Sequence, residues 1–216
     1  KKIWLSSPHM GGTEQKYVQE AFDTNWVAPL GPNVNAFEKG LENYLGTHKV
    51  AALSSGTAAL HIALILAGVQ RNDIVLCQSF TFVATANPIA YQGATPVFVY
   101  SESETWNMCP HLLEDAIKDQ ISKGKQPKAI IVVHLFGMPA KMEAIKRIAH
   151  QYKIVLIEDA ASALGSEING QKCGTFGDYG ILSFNGNKVI TTSGGGALIC
   201  KDQTTKNKAI FLATQA

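Results

Sequence analysis

A lysine stands among uncharged residues in the stretch GILSFNGNKVITTSGGG, positions 180–196. Lys188 is the one charged side chain between Tyr179 and Cys200, although surface lysines usually have charged neighbours. Desolvation lowers the pKa of a lysine and frees the lone pair that attacks a carbonyl, so Lys188 is a candidate for Schiff-base chemistry. Taken by itself, the same pattern favours an ordinary loop lysine in contact with solvent.

Other stretches carry residue types that could act together with such an amine. Asp159 follows the apolar segment IVLIE at 154–158, where a carboxylate must either face solvent or pair with a buried cation. Gly56 and Thr57 open a predicted helix, whose free amides and dipole favour a phosphate, although an ordinary helix N-cap is the alternative interpretation. Phe82 could stack on a ligand ring or pack in the core.

These residues are separated by alternating strand and helix patterns. Two amphipathic helices, from about Thr13 to Phe22 and from Asn33 to Leu45, come first. Seven strands are then predicted at 49–53, 74–78, 96–100, 129–134, 154–158, 180–184 and 196–200, with helices at 57–68, 83–92, 110–122 and 141–151 between the first five. Such alternation predicts an α/β fold with a mainly parallel sheet. The last two strands have only the lysine loop between them, which favours one antiparallel strand.

Ligands of open α/β sheets bind outside the carboxyl ends of the strands. The candidate residues follow this rule, since each lies at or just after the end of a predicted strand: Ser54 to Thr57, Phe80 to Phe82, His134, Asp159, and Ser183 to Lys188. Ser183 is interpreted as a phosphate ligand or a turn residue. For His134 we favour a hydrogen-bonded core histidine over a group supporting the site.

Composition excludes several classes of function. The 216 residues carry 19 basic and 17 acidic side chains, a net charge of +2 that indicates neither a nucleic-acid nor a membrane partner. Four scattered cysteines without a CxxC pair predict no metal site and no disulfide framework, and they fit a reducing cytoplasm. No apolar run reaches the roughly 20 residues that span a bilayer.

Seven segments together resemble the DegT-type sugar aminotransferases, which are pyridoxal-phosphate enzymes of fold type I. The segments are PHMGGTE, WVAPLG, SSGTAAL, QSFTFVATANPI, IEDAASALGS, GTFGDYG and SFNGNKVITTSGGG, between Pro8 and Gln215. The resemblance implies the large domain of that fold, with a seven-stranded, mostly parallel sheet flanked by helices. It also implies pyridoxal 5′-phosphate as the cofactor.

The resemblance also implies roles for individual residues. Lys188 and Asp159 would be catalytic, the lysine by binding the cofactor aldehyde and moving a proton, the aspartate by pairing with the ring nitrogen. The implied cofactor-binding set is Gly56, Thr57, Phe82, Asp159, Ser162, Ser183, Asn185 and Lys188. Ser162 and Asn185 depart from the family pattern, because many members carry Gln or Glu at the first position and His at the second.

A loop near the N-terminus bears on the substrate. Trp26 lies beside two prolines in the segment WVAPLGP, and on sequence alone it could either plug the edge of the domain or contact a ligand. The resemblance favours the second interpretation and implies that Trp26, Val27, Ala28, Pro29 and Gly56 line the substrate site.

The function implied by this resemblance is transfer of an amino group from L-glutamate to C4 of a UDP-linked 4-keto-6-deoxy sugar, in bacterial surface-glycan biosynthesis. The resemblance also implies a homodimer with shared active sites. In support, no Lys or Arg other than Lys188 accompanies the phosphate candidates, so part of the neutralising charge must come from elsewhere. Two alternatives stay open: another fold type I lyase or desulfurase, and a non-catalytic regulator that binds the cofactor or a sugar nucleotide.

The predicted organisation has two parts. Residues 1–47 form an N-terminal arm and helices that line the substrate site, and residues 48–216 form the cofactor-binding large domain. Family members continue into a smaller C-terminal domain, which we expect to be missing here because the chain ends inside a helix that begins near Gln203.

Overall fold

The computed structural model describes residues 2, 7, 9–46 and 48–215. In the N-terminal arm predicted within residues 1–47, residues 1, 3–6 and 8 lie outside the described part of the chain. Seven helices are found in the described part of the chain: α1 Glu14–Asp23, α2 Pro32–Leu45, α3 Gly56–Leu66, α4 Asn87–Tyr91, α5 Pro110–Ser122, α6 Met142–Gln151 and α7 Gln203–Thr214. No helix within these described residues is long and apolar enough to cross a membrane.

A seven-stranded sheet forms the centre of the fold, as the sequence predicts. Its strands are β1 Lys49–Leu53, β2 Ile74–Gln78, β3 Thr95–Val99, β4 Ala129–Val133, β5 Val155–Asp159, β8 Tyr179–Ser183 and β9 Gly196–Cys200, in the spatial order β1-β9-β8-β5-β4-β2-β3. β9 pairs antiparallel with both β1 and β8, while the other pairs are parallel. The expectation of one antiparallel strand is therefore confirmed.

Helices cover both faces of the central strands, so alternate residues of one strand enter different cores. Cys77 of β2 and Ile131 of β4 pack with Leu60 and Leu64 of α3. Leu76 packs on the opposite face, in a second core that includes residues of α5 and α6. Burial on both faces is typical of parallel sheets and explains why these strands are apolar throughout.

An ion-pair cluster closes the outer edge of the sheet at β1. The backbone amides of Ala52 and Val50 donate to the carboxylates of Glu38 and Glu42 of α2, at 2.9 and 3.2 Å. Lys206 of α7 contacts both carboxylates, at 2.7 Å from Glu38 Oε2 and 3.0 Å from Glu42 Oε1. The edge strand thus has its outward amides satisfied by side chains rather than left available for pairing.

One sequence prediction needs correction, and one element was missed. The helix predicted at 83–92 is a 3₁₀ turn, Val83–Thr85, followed by the short helix α4. Pro88 causes this break, because it has no N–H to donate and fits only in a first helical turn. A two-stranded hairpin, β6 Glu167–Ile168 and β7 Gln171–Lys172, was not predicted.

Candidate active site

The register of the sheet brings two loops together at its carboxyl edge. Gly196 of β9 lies opposite Leu53 of β1 and opposite Ser183 of β8. The residues after Leu53 therefore lie beside those around Ser183. A methyl group added to Gly56 would sit 3.0 Å from Ser183 Cβ and 3.4 Å from its Oγ, so the Ser183 hydroxyl lies against the start of α3.

The start of α3 offers hydrogen-bond donors to an anion. Ser55 is the N-cap, and its Oγ accepts from the backbone N–H of Ala58 at 3.0 Å. The amides of Gly56 and Thr57 precede the capped position and have no intrahelical acceptor, as in any first helical turn. With the helix dipole and the adjacent Ser183 hydroxyl, they form a set of donors suited to a phosphate group.

Asp159 is a nearly buried carboxylate at the end of β5, with 9% of its surface exposed. Its Oδ2 accepts from the Thr85 hydroxyl at 2.8 Å, and its Oδ1 accepts from the Ala161 amide at 3.2 Å. No Lys, Arg or His in the described part of the chain lies within ion-pair distance of it. A buried carboxylate with hydrogen bonds but no cation is suited to pair with a cationic ligand atom.

Thr85 is a site residue that the sequence analysis missed. It lies in the 3₁₀ turn after β2, far in sequence from Asp159. Its position in a loop at the carboxyl edge was the available signal, but threonine in a loop is too common to stand out.

Lys188 lies in the loop after β8, and its side chain is partly buried. Its Nζ donates to Ser162 Oγ at 3.0 Å. Ser162 comes three residues after Asp159, so the amine and the carboxylate are brought to neighbouring positions at the edge of the sheet. No carboxylate of the described residues is within 4.0 Å of the Lys188 amine. Its hydrogen-bond partner is therefore a neutral hydroxyl, which a carbonyl ligand could displace.

The ends of the lysine loop are anchored to the fold. Phe184 is buried, and its ring packs edge-on against Phe37 of α2, with 5.0 Å between the ring centroids. The Phe184 amide donates to Gly195 O, and the Phe184 carbonyl accepts from the Thr192 amide, each at 2.9 Å. Lys188 N–H donates to Asn185 O at 2.9 Å. The loop that carries the amine is therefore closed by backbone bonds at its base.

The neighbouring carboxylate, Glu158, faces the other side of β5 and is fully buried. It accepts from His134 Nε2 at 3.0 Å and from the amides of Gly174 at 2.8 Å and Gly177 at 2.5 Å. His134 Nδ1 accepts from the Ala140 amide at 3.1 Å, so the proton of the neutral ring lies on Nε2. His134 is thus the hydrogen-bonded core histidine that the sequence favours, and Glu158 is structural.

Two exposed aromatic rings follow β2 at the carboxyl edge of the sheet. Phe82 is 77% exposed, and Phe80 is half exposed. The Phe80 ring packs edge-on against Trp106, with 6.0 Å between centroids. Phe82 is therefore not the core residue of the alternative interpretation, and its exposed ring is free to cover a ligand.

The loop that contains Trp26 is exposed between α1 and α2. The Trp26 ring packs against Gly31, where a methyl group would lie 2.9 Å from Cε3, and 48% of its surface stays exposed. Val27, Ala28 and Pro29 are also exposed. No hydrogen bond or ring contact found between described residues joins this loop to the groups around Lys188, so its role in substrate binding stays a prediction.

The residues at this edge fit pyridoxal phosphate. Gly56, Thr57 and Ser183 offer donors to its phosphate, Asp159 offers an anion to its ring nitrogen, and Lys188 offers an amine to its aldehyde. Ser162 is the hydrogen-bond partner of the Lys188 amine, whereas cofactor contacts of Phe82 and Asn185 stay predictions. Asn185 is exposed and donates to Asn187 Oδ1 at 3.1 Å.

Comparison with known proteins identifies relatives along the whole chain. A model of the DegT/DnrJ/EryC1/StrS aminotransferase family matches residues 8–216. The Bacillus subtilis (strain 168) protein named "Putative pyridoxal phosphate-dependent aminotransferase EpsN" is 55% identical over 216 residues, which are 100% of this chain and 56% of that protein. GDP-perosamine synthase of Escherichia coli O157:H7 is 37% identical over 215 residues, 100% of this chain and 57% of that enzyme.

A solved structure extends the likeness to the fold. The crystal structure of a DegT DnrJ EryC1 StrS aminotransferase from Brucella abortus superposes with a TM-score of 0.84 at 35% identity, over 94% of this chain and 58% of that one. The chain thus spans little more than half the length of the curated relatives it matches. The predicted fold class is confirmed by this similarity and by the observed sheet.

Proposed function

The chain belongs to the DegT/DnrJ/EryC1/StrS aminotransferase family, and from that membership we propose that it is a pyridoxal phosphate-dependent sugar aminotransferase. The observation that supports this most is the partly buried Lys188 amine, hydrogen-bonded to Ser162 at the same sheet edge as the buried Asp159. The name of the Bacillus subtilis relative includes the same cofactor. In bound form, pyridoxal phosphate carries the amino group and accepts electrons from a breaking C–H bond.

Each residue of the edge has a task in this proposal. The first-turn amides of α3 and the Ser183 hydroxyl hold the phosphate, and the Phe82 ring covers one face of the site. Asp159 keeps a proton on the ring nitrogen through its negative charge. Lys188 Nζ would hold the cofactor through its aldehyde and, when free, would carry the proton to and from the substrate carbon.

For the substrate, we propose L-glutamate as amino donor and C4 of a UDP-linked 4-keto-6-deoxy sugar, with a 2-acetamido group, as acceptor. The segments WVAPLGPNV and SFNGNK support this choice by their resemblance to such transaminases. The loop from Trp26 to Pro29, within an N-terminal part at residues 1–47, would line the sugar site beside the cofactor-binding part at 48–216. The name of the Escherichia coli relative favours a GDP-linked sugar instead.

The same proposal includes a homodimer in the cytoplasm, with a partner subunit that completes each phosphate site. No Lys or Arg of the described residues hydrogen-bonds to Gly56, Thr57 or Ser183, so a cation from the partner subunit would strengthen the binding that these neutral donors give a phosphate. A light-scattering mass of one chain at full activity would contradict the shared site.

A cysteine-dependent lyase or desulfurase is disfavoured by the structure. The Cys77 and Cys200 thiols are buried, and burial raises the pKa of each to about 12. Cys173 is buried as well. Such thiols are poor nucleophiles, and Cys109, the N-cap of α5, does not lie in a glycine-rich loop.

The function can be tested with purified protein and defined substrates. Protein incubated with pyridoxal phosphate should gain a visible or near-ultraviolet band that shifts when L-glutamate is added. UDP-, GDP- and dTDP-linked 4-keto-6-deoxy sugars are then supplied in parallel, and the amino sugar is quantified. Amine formation with the UDP sugar alone supports the full proposal, preference for the GDP sugar corrects the nucleotide, and no amine with any of them contradicts it.

The Lys188→Ala variant separates catalysis from ligand binding. It should lose the band and turnover while keeping its thermal stability, because a loop lysine contributes little packing. Lys208→Ala, which removes an exposed lysine on α7, is the matched control and should behave as the parent. Turnover by Lys188→Ala near the parent rate would refute the proposed role of the amine.

A further inference from the structure

A chain of hydroxyl groups leads to the Asp159 carboxylate. Thr85 Oγ1 donates to Asp159 Oδ2 at 2.8 Å, and Thr81 Oγ1 lies 2.8 Å from Thr85 Oγ1. Thr85 is 1% exposed, so its hydroxyl can find partners only within the protein. A buried threonine often bonds to a carbonyl of its own chain segment, but this one reaches a carboxylate 74 residues away.

The direction of the protons follows from the groups involved. An ionised carboxylate can only accept hydrogen bonds, so the single Thr85 proton points to Asp159. The Thr85 oxygen is then the acceptor of the Thr81 hydroxyl. Because each donor polarises the next, the pair strengthens the hydrogen bond that reaches the carboxylate.

The contact between Thr85 and Asp159 also crosses one strand of the sheet. β4 lies between β5, which ends at Asp159, and β2, whose following loop carries Thr85. The Thr85 amide donates to Phe82 O at 3.0 Å, so the turn that holds Thr85 also holds the exposed ring of Phe82. The same short segment therefore carries both the hydroxyl that contacts Asp159 and the exposed aromatic ring.

We propose that Thr85, supported by Thr81, is a positioning residue that aims Asp159 Oδ2 and stabilises its negative charge, so that the carboxylate keeps the pyridine nitrogen of the cofactor protonated. This inference rests on the proposed function. Thr85 does not touch the reacting atoms in this account and acts through Asp159. The alternative is that Asp159 only provides the hydrogen-bond acceptor that the buried Thr85 hydroxyl requires.

The test uses the full chain loaded with pyridoxal phosphate labelled with ¹⁵N in the ring. The ¹⁵N chemical shift, followed against pH, reports whether the ring nitrogen is protonated, and a spectrophotometric titration gives the dissociation constant. Four variants are compared with the parent: Thr85→Val, Thr85→Ser, Thr81→Val and, as a control that removes another buried threonine hydroxyl, Thr175→Val. Thermal denaturation of each variant measures its stability.

We expect Thr85→Val to lose the protonated-nitrogen signal at a lower pH than the parent and to bind the cofactor about 10- to 100-fold more weakly, the range for a hydrogen bond to a charged group. Thr85→Ser keeps the hydroxyl and should restore the parent signal. Thr81→Val should show a smaller shift in the same direction, and Thr175→Val should show none.

Three results would overturn the inference. They are a Thr85→Val signal that follows the parent at every pH, a Thr85→Ser signal that matches Thr85→Val, and an equal shift in Thr175→Val. If Thr85→Val does not fold, Thr81→Val decides, since a signal identical to the parent there removes the relay. A parent chain that takes up no cofactor overturns the proposed function first and this inference with it.

Discussion

Replacing Gly196 by alanine tests how β9 positions the proposed phosphate site. A methyl group at Gly196 would lie 2.2 Å from the carbonyl carbon of Ser55, 2.3 Å from its oxygen and 2.5 Å from the amide nitrogen of Gly56. Carbon atoms in contact are normally about 3.5–4.0 Å apart, so β9 or the first turn of α3 must move by about 1 Å. The clashing atoms are backbone, and no side-chain rotation can relieve them.

The expected cost is at the upper end of the range for overpacked sites, about 3 kcal/mol. For a chain of this size that corresponds to a fall in melting temperature of about 6–12 °C. The affinity for pyridoxal phosphate should fall about tenfold or more, because the α3 amides no longer point at the phosphate. Thermal denaturation and a spectrophotometric titration measure the two effects.

Gly40→Ala is the matched control, because a methyl group there meets no atom within 4 Å. Gly40 lies inside α2, where alanine should leave affinity unchanged and add up to about 1 kcal/mol of stability. A Gly196→Ala protein with the melting temperature and affinity of the parent would refute the packing argument. A destabilised variant that binds the cofactor as tightly as the parent would separate this contact from the phosphate site.

Two further substitutions test the ring partner and the edge cluster. Asp159→Asn should keep cofactor bound but slow glutamate-driven amino transfer by orders of magnitude in a single-turnover assay, since the ring nitrogen loses its anion; an unchanged rate would exclude that role. Lys206→Met should lower the free energy of unfolding by about 3 kcal/mol, because it leaves Glu38 and Glu42 without their buried cation, whereas the exposed Lys208→Met should change it by less than about 0.5 kcal/mol. Burial raises the pKa of Glu42, but hydrogen bonds from Lys206 and from the Val50 amide outweigh burial and lower the pKa below its ordinary value. The stabilisation from the Lys206–Glu42 ion pair should therefore be present at neutral pH and disappear as acid protonates the carboxylate. A constant stability difference between parent and Lys206→Met from neutral pH to pH 3 would contradict the pairing.

The regular parts of the fold could be predicted because their patterns are local. Strands such as β4, with five buried apolar residues, and helices such as α5 stand out by period and length. The hairpin β6–β7 was missed because each strand has two residues, too few to show alternation, although Asn169 and Gly170 are typical of a tight hairpin turn.

The candidate site could be predicted only in part, because its geometry depends on contacts across the sheet. Lys188 and Asp159 stand out as charged residues in apolar or neutral surroundings. Thr85 does not, since its partner is distant in sequence, and the role of Gly196 in spacing β9 from α3 follows only from the register. No hydrogen bond or ring contact among the described residues joins the exposed loop at Trp26 to the candidate site.

The central claim is that the Lys188 amine is the group that binds the cofactor aldehyde. Protein loaded with pyridoxal phosphate is reduced with borohydride, digested and mapped by mass spectrometry, with the Lys188→Ala variant treated in parallel. The account predicts that the peptide containing Lys188 carries the mass of the reduced cofactor and that the variant carries none. Modification of a different lysine in the parent, or an unmodified Lys188 peptide in protein that shows the cofactor band, would contradict it.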